Sequence, residues 1–145
     1  MKRSPHPWTQ LPWPLGTVLT MRVEVARGDF AKRSASGRIE FVSPFRCPFN
    51  YGSVVADEGP DPCSADGEGY DAVWLGRRVR RGERRTGRLV AVALFIDGGL
   101  EDHKFVLSDG ARLSHSGRLA VERFCSRYAR IKRWAGRDSR FEGWW

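Results

Sequence analysis

Apolar and polar positions alternate from Thr17 to Val25, with Met21, Val23 and Val25 on one side and Arg22 and Glu24 on the other. A period of two predicts a strand with one buried face. Residues 38–42 (RIEFV) repeat the pattern, placing Ile39 and Phe41 together. A loop is expected through PFRCPFNYG, then an acidic loop, then a short buried strand at 72–75. Residues 88–96 (RLVAVALFI) are the longest apolar run and predict a buried strand that ends at the turn Asp97-Gly98-Gly99. KFVL at 104–107 predicts another, stopped by Ser108-Asp109-Gly110. The arginine run at 77–88 carries Gly82 and Gly87 and reads as a hairpin-like turn region. The period changes near Ser116. Ala120, Val121, Phe124, Cys125, Tyr128 and Ile131 fall on one helical face, with Gly136 as the expected stop. Short strands followed by one late helix predict a mainly β, α+β chain: a small barrel with a helix packed on it. Residues 1–16, with Pro5, Pro7, Pro12, Pro14, Trp8 and Trp13, read as a loosely ordered arm before a single domain over 17–145.

Composition narrows this picture. The 145 residues suit one domain. A hydrophobic share of 41% with six Trp predicts a folded chain. No apolar run reaches the length of a membrane span, and no hydrophobic segment follows Lys2 and Arg3. Cys47, Cys63 and Cys125 have no metal-like spacing and fit free thiols in a reducing compartment. A cytoplasmic protein without a membrane partner is therefore expected.

The net charge of +8 favours phosphate-rich ligands, although a solvated Arg-rich surface would give the same figure. The charge is uneven. Asp57, Glu58, Asp61, Asp66, Glu68 and Asp71 crowd one stretch, and seven arginines follow between Arg77 and Arg88. Gly67 and Gly69 allow tight bends between Asp66, Glu68 and Asp71. Carboxylates brought together in this way need a counter-ion, and a hard divalent cation suits them. A second acidic turn, Asp97 to Asp102, precedes Lys104. Either turn alone would pass for an ordinary surface turn; together they suggest a cation site. His6, His103 and His115 have no partner at metal spacing and read as surface residues.

At these residues a family resemblance enters. Asp66-Gly67-Glu68-Gly69-Tyr70-Asp71-Ala72-Val73 resembles the D-x-D-x-x-D signature of the soluble (family I) inorganic pyrophosphatases, with Glu68 in the middle place. Cys47-Pro48-Phe49-Asn50-Tyr51-Gly52 is similar to their Y-P-x-N-Y-G. Val23-Glu24-Val25-Ala26-Arg27-Gly28 is similar to their V-E-I-P-K-G. Asp97, Asp102 and Lys104 keep the spacing of a further motif, and Phe141-Glu142-Gly143-Trp144 resembles the V-E-G-W tail.

The resemblance implies an OB-like five-stranded β-barrel with the C-terminal helix outside. It implies Mg²⁺-dependent hydrolysis of inorganic pyrophosphate, several Mg²⁺ ions in the site, and a homo-oligomer. Asp66, Asp71 and Asp102 would be metal ligands, Asp97 would help hold ions, and Glu24 would act at the pocket edge. Glu68, with Asp66 and Asp71, would form the catalytic group around the attacking water. Lys32, Tyr51, Lys104 and Tyr128 would contact phosphate. The chain also departs from the pattern. Glu68 replaces an aspartate, the acid after Lys32 is absent, and Pro44 and Ala129 stand where an arginine and a lysine are expected. Arg38, Arg46, Arg130 or the 77–88 run could substitute. Two other readings are a pyrophosphatase-fold protein with metal or phosphate binding but little turnover, and an OB-like nucleic-acid binder. The second would need aromatics interleaved with the basic residues, and few are found there, so no specific nucleic-acid partner is expected.

Overall fold

The computed structural model of the chain describes residues 11–33, 36–64, 67–110 and 112–145. The elements run β1 (Val18–Val25), β2 (Ala31–Arg33), β3 (Ile39–Val42), β4 (Asn50–Val55), β5 (Asp71–Trp74), β6 (Arg84–Asp97), β7 (Leu100–Glu101), β8 (Lys104–Ser108), α1 (His115–Trp134) and β9 (Ser139–Trp144). Strands β1, β4, β5, β8 and β6 pair in that order, and β6 returns to β1. The result is a closed five-stranded barrel, in which the sheet has no free edge among these strands. Only the β5–β8 pair is parallel. Strand β9 extends β6 beyond the barrel, and β2 and β3 form a separate hairpin. No helix of the described residues is long and apolar enough to cross a membrane.

Alternation along the strands sorts the core into two layers. Met21, Val23, Val54, Ala72, Trp74, Leu89, Val92, Leu94, Phe105 and Leu107 form one buried cluster. Val73, Ala91, Ala93, Phe95 and Val106 face the other way and pack with Val121, Cys125 and Ala129 of α1. Residues 88–96 read as a continuous apolar run because β6 is covered on both faces. The helix buries Val121, Cys125 and Ala129 most deeply, so its buried stripe is rotated slightly from the predicted face. Ser114 caps its start, Oγ accepting from the Gly117 N–H at 3.1 Å, and Gly136 follows its end with φ +81°.

Several expectations change. Arg84 to Arg88 are not a turn; they are the first residues of β6 and pair with β1. The barrel can close only if β6 is long enough to reach both β8 and β1, and pairing overrides the turn composition there. The loop expected through Gly52 ends earlier, since Asn50, Tyr51 and Gly52 begin β4. Glycine is required at that point: a Cβ on Gly52 would sit 1.8 Å from the Arg22 carbonyl oxygen of β1. Strand β9 was hidden because its tail carries Gly143 and charged residues on an outer position. The expected loose arm is docked from Leu11 onward. Trp13 meets Tyr70 and Phe105 edge-on at 5.0 and 5.3 Å, and the Gly16 N–H donates to the Leu89 carbonyl at 2.8 Å. Trp13 is partly buried against the barrel core, and its ring contacts outweigh the local proline content. Residues 1–10 lie outside the described residues.

Candidate functional site

The parallel β5–β8 pair sets the geometry of the site. Its register puts Asp71, the first residue of β5, directly beside Lys104, the first residue of β8. Lys104 is 1% exposed. Its Nζ donates to Asp71 Oδ2 at 2.5 Å and to Asp102 Oδ2 at 2.8 Å. Asp102 stands in the turn before β8, and its N–H donates to the Phe95 carbonyl at 2.9 Å. His103 completes that anchor. The sequence reading placed it on the surface, but it is buried, and its Nδ1 accepts from the Phe95 N–H at 3.1 Å. Spacing could not reveal it because its partner is a backbone group on another strand. Burial, with Lys104 next to it, lowers its pKa to about 4, so the ring is neutral.

Two carboxylates around one ammonium leave an excess negative charge. Burial pushes the Asp71 carboxyl up, but Lys104 and hydrogen bonds from Asp102, Lys104 and Tyr51 outweigh it and hold Asp71 below its ordinary value. Burial, against the pull of Lys104 and with the added repulsion of Asp71, brings Asp102 up to about 6. Burial tends to discharge Lys104, yet Tyr51, Asp71 and Asp102 more than reverse this and keep it charged. Burial and the Asp71 charge hold the Tyr51 phenol well above its usual value, so it serves as a hydrogen-bond donor.

These groups open onto a cavity of about 330 Å³, in the range of small-molecule sites. Its lining brings together Lys32, Tyr51, Glu68, Asp71, Asp102, Lys104 and Tyr128. They are drawn from β2, β4, the loop before β5, β5, the β7–β8 turn, β8 and α1. Glu68 stands exposed at the mouth, where the Ser64 N–H donates to its carbonyl at 2.7 Å and shapes the turn. Glu24 stands behind Lys32: its Oε1 accepts from Ser53 Oγ at 2.6 Å, and its Oε2 is 3.3 Å from Lys32 Nζ.

Asp66 lies outside the described residues. Glu24 and Asp97 do not line the cavity. Asp97 is engaged elsewhere. Lys132 Nζ and Ser139 Oγ donate to it at 3.2 and 2.9 Å, and Arg137 is 3.3 Å away. Ala129, where a lysine was expected, is 1% exposed against the barrel. The arginines of the 77–88 run are absent from the cavity lining. Arg46 instead reaches an adjoining cavity, with Arg123 and Arg127 of α1. The aromatic lining by Phe30, Phe45 and Phe124 was also missed, since the loops before β2 and after β3 come to α1 only in three dimensions.

The donor set suits a hard cation. Mg²⁺ is commonly held by one or two carboxylates together with substrate phosphates, and Asp71 and Asp102 supply two that share a single positive charge. Among the described residues no three His, Cys, Asp or Glu side chains cluster as a metal cage.

No protein-family model matches the chain, and no curated protein matches it in sequence. Solved structures do match. The inorganic pyrophosphatase of Thermus thermophilus superposes with a TM-score of 0.70 over 91% of this chain and 86% of its own, at 21% identity. That of Helicobacter pylori gives 0.70 over 92% and 89%, at 18% identity. An N-terminally truncated vacuolar soluble pyrophosphatase of Trypanosoma cruzi, in complex with PPi, gives 0.59 over 98% and 64%, at 16% identity. The chain has the fold of the soluble inorganic pyrophosphatases, at low sequence identity.

Proposed function

We propose that the protein hydrolyses inorganic pyrophosphate in the presence of Mg²⁺. The observation that carries this reading is the convergence of Asp71, Asp102, Lys104, Lys32, Tyr51, Tyr128 and Glu68 on one cavity of a pyrophosphatase-fold barrel. These residues come from seven different segments, and each has a role in the family pattern, which supports the reading. The Trypanosoma cruzi structural neighbour, solved with PPi, supports the choice of ligand.

Asp71 and Asp102 would hold Mg²⁺, with Asp66 beside them in the motif. When bound, the ion lowers the pKa of a water and offsets phosphate charge. The chain's own groups carry the remaining work. Lys104 and Lys32 bring ammonium groups to phosphate oxygens, and the Tyr51 phenol, held protonated, adds a neutral donor. Glu68 at the mouth is placed to orient the attacking water and accept its proton. Glu24 acts through Lys32, fixing the direction of its ammonium. His103 positions Asp102 and Lys104 by tying the segment between them to Phe95.

Phosphate release from pyrophosphate by the purified protein, with and without Mg²⁺ and after chelation, tests the reading. Release that depends on Mg²⁺ is expected. Absence of release at every metal concentration would favour a binding protein on the same fold. Release unaffected by excess chelator would reject the metal mechanism. Glu68→Asp sharpens the role of Glu68. Shortening the side chain moves its carboxylate by about 1.5 Å, and a displacement near 1 Å can change a rate about a hundredfold. A higher rate would mean that glutamate is a poor fit in this site, and a lower one that the turn has adapted to it.

A further inference from the structure

The polar cluster fills one end of the cavity only. The opposite wall carries Phe30, Phe45, Phe124 and Tyr128. A second cavity of about 230 Å³ shares Phe45, Phe124 and Tyr128 with the first and adds Arg46, Arg123 and Arg127. The two cavities therefore adjoin at these rings, with carboxylates and lysines on one side of them and three arginines lining the other cavity.

An inorganic anion has no use for these rings. Pyrophosphate carries no apolar surface, and a wall of phenyl rings removes its water without returning hydrogen bonds. The rings also remain open to a partner: Phe30 and Phe45 are 41% and 46% exposed. Each carries a guanidinium over its ring, Arg46 at 4.6 Å from the Phe30 centroid and Arg127 at 5.2 Å from that of Phe45. Phenyl rings beside guanidinium groups suit another planar π system, with cation–π attraction added. Phe124 and Tyr128, stacked at 8° and 5.8 Å on the helix, continue it.

We propose that the two adjoining cavities bind an organic phosphoanhydride with a planar aromatic group, of the nucleoside diphosphate class. Its phosphates occupy the Lys32–Lys104 end, and its base lies along the wall at Phe45 and Phe124 beside the arginines. This rests on the reading of the polar end as a phosphate site, though not on turnover there. A saturated lipid tail would find three guanidinium groups in the second cavity, and a longer inorganic chain would use the arginines but not the rings.

Calorimetric titration of the full chain at constant Mg²⁺ with ADP, pyrophosphate and tripolyphosphate, each in its non-hydrolysable methylene-bridged form, separates these cases, and phosphate release from pyrophosphate is assayed beside it. ADP is expected to bind at least fivefold more tightly than pyrophosphate, since base–aromatic stacking contributes about 1–3 kcal/mol per base, roughly 5- to 150-fold. Phe45→Ala, at an exposed position, should weaken ADP at least fivefold more than it weakens pyrophosphate. ADP no tighter than pyrophosphate, or equal losses in the variant, would overturn the proposal. So would tripolyphosphate that matches ADP and is indifferent to Phe45→Ala. If ADP binds as expected but pyrophosphate is not hydrolysed, the binding proposal stands and the proposed hydrolysis falls. If pyrophosphate is hydrolysed and ADP does not bind, the reverse holds.

Discussion

Asp102 and Asp97 are five residues apart on either side of one turn, yet their surroundings are opposite. Asp102 shares the single buried ammonium of Lys104 with Asp71, so two carboxylates face one cation. Asp97 has two cations, Lys132 and Arg137, and the Ser139 hydroxyl to itself. The electrostatic outcome follows. Burial and Asp71 bring Asp102 up to about 6 despite Lys104. At Asp97 burial acts upward, but Ser139, Lys132 and Arg137 overcome it and lower the pKa. One acid is left with unsatisfied charge facing a cavity, and the other is compensated between α1 and β9. Uncompensated charge beside open space is where a ligand can supply the missing partner; a compensated acid ties elements together.

The largest effect is expected on removing the charge that the first pair shares. Lys104→Met keeps the length of the side chain but leaves Asp71 and Asp102 facing each other without a cation. Urea unfolding of the metal-free protein should show a loss of about 3–5 kcal/mol. A loss under 1 kcal/mol would mean that the carboxylates are better solvated than their geometry implies.

Asp102→Asn should act on turnover more than on folding. It relieves the repulsion with Asp71 and removes a candidate cation ligand, so phosphate release should fall about a hundredfold or more, near 2.7 kcal/mol on the barrier, while urea stability is kept or raised. Near-normal release would remove Asp102 from the site.

His103→Leu leaves the Phe95 N–H buried without its acceptor, a cost of about 1–3 kcal/mol. His103→Asn can supply an acceptor oxygen in its place and should recover most of that loss. If both variants are equally stable, the hydrogen bond does not anchor the Asp102–Lys104 segment.

Asp97→Asn should have the smallest effect, about 1 kcal/mol of stability, because Arg137 is half exposed and only Lys132 and Ser139 are well shielded. The stabilisation is present above the ordinary carboxylate range. It disappears as pH falls through the lowered Asp97 pKa, so wild type and variant should converge in acid. Phosphate release should change less than with Asp102→Asn; an equal or larger loss would return Asp97 to the site.

Much of the barrel was legible along the chain. The alternation of β1, the apolar run inside β6, the short β5 and β8 and the periodicity of α1 are local consequences of which faces are covered. The spacing of Asp71, Asp102 and Lys104 was also legible, and with it the expectation of a cation and phosphate site. Strand β4 was not, because the glycine that lets it approach β1 looks like a loop residue until the Arg22 carbonyl is seen beside it. Nor was the role of Arg84 to Arg88, which lie in a strand only because β6 must reach β1 to close the barrel.

Sequence alone determined which residue types were available: a set of carboxylates, two lysines and two tyrosines in a recognisable order. The tertiary structure decided how their charges were shared. Lys104 could have been any surface lysine; the parallel register with β5 buries it against Asp71, where water can no longer screen the pair. Asp97 could have joined the same cluster; the packing of α1 and β9 brings Lys132, Arg137 and Ser139 to it instead. The aromatic wall exists only where the β2–β3 region folds against the helix, bringing Phe30 and Phe45 opposite Phe124. Those residues are far apart in sequence and follow no common period, and contacts of that kind arise only when the folded chain closes on itself.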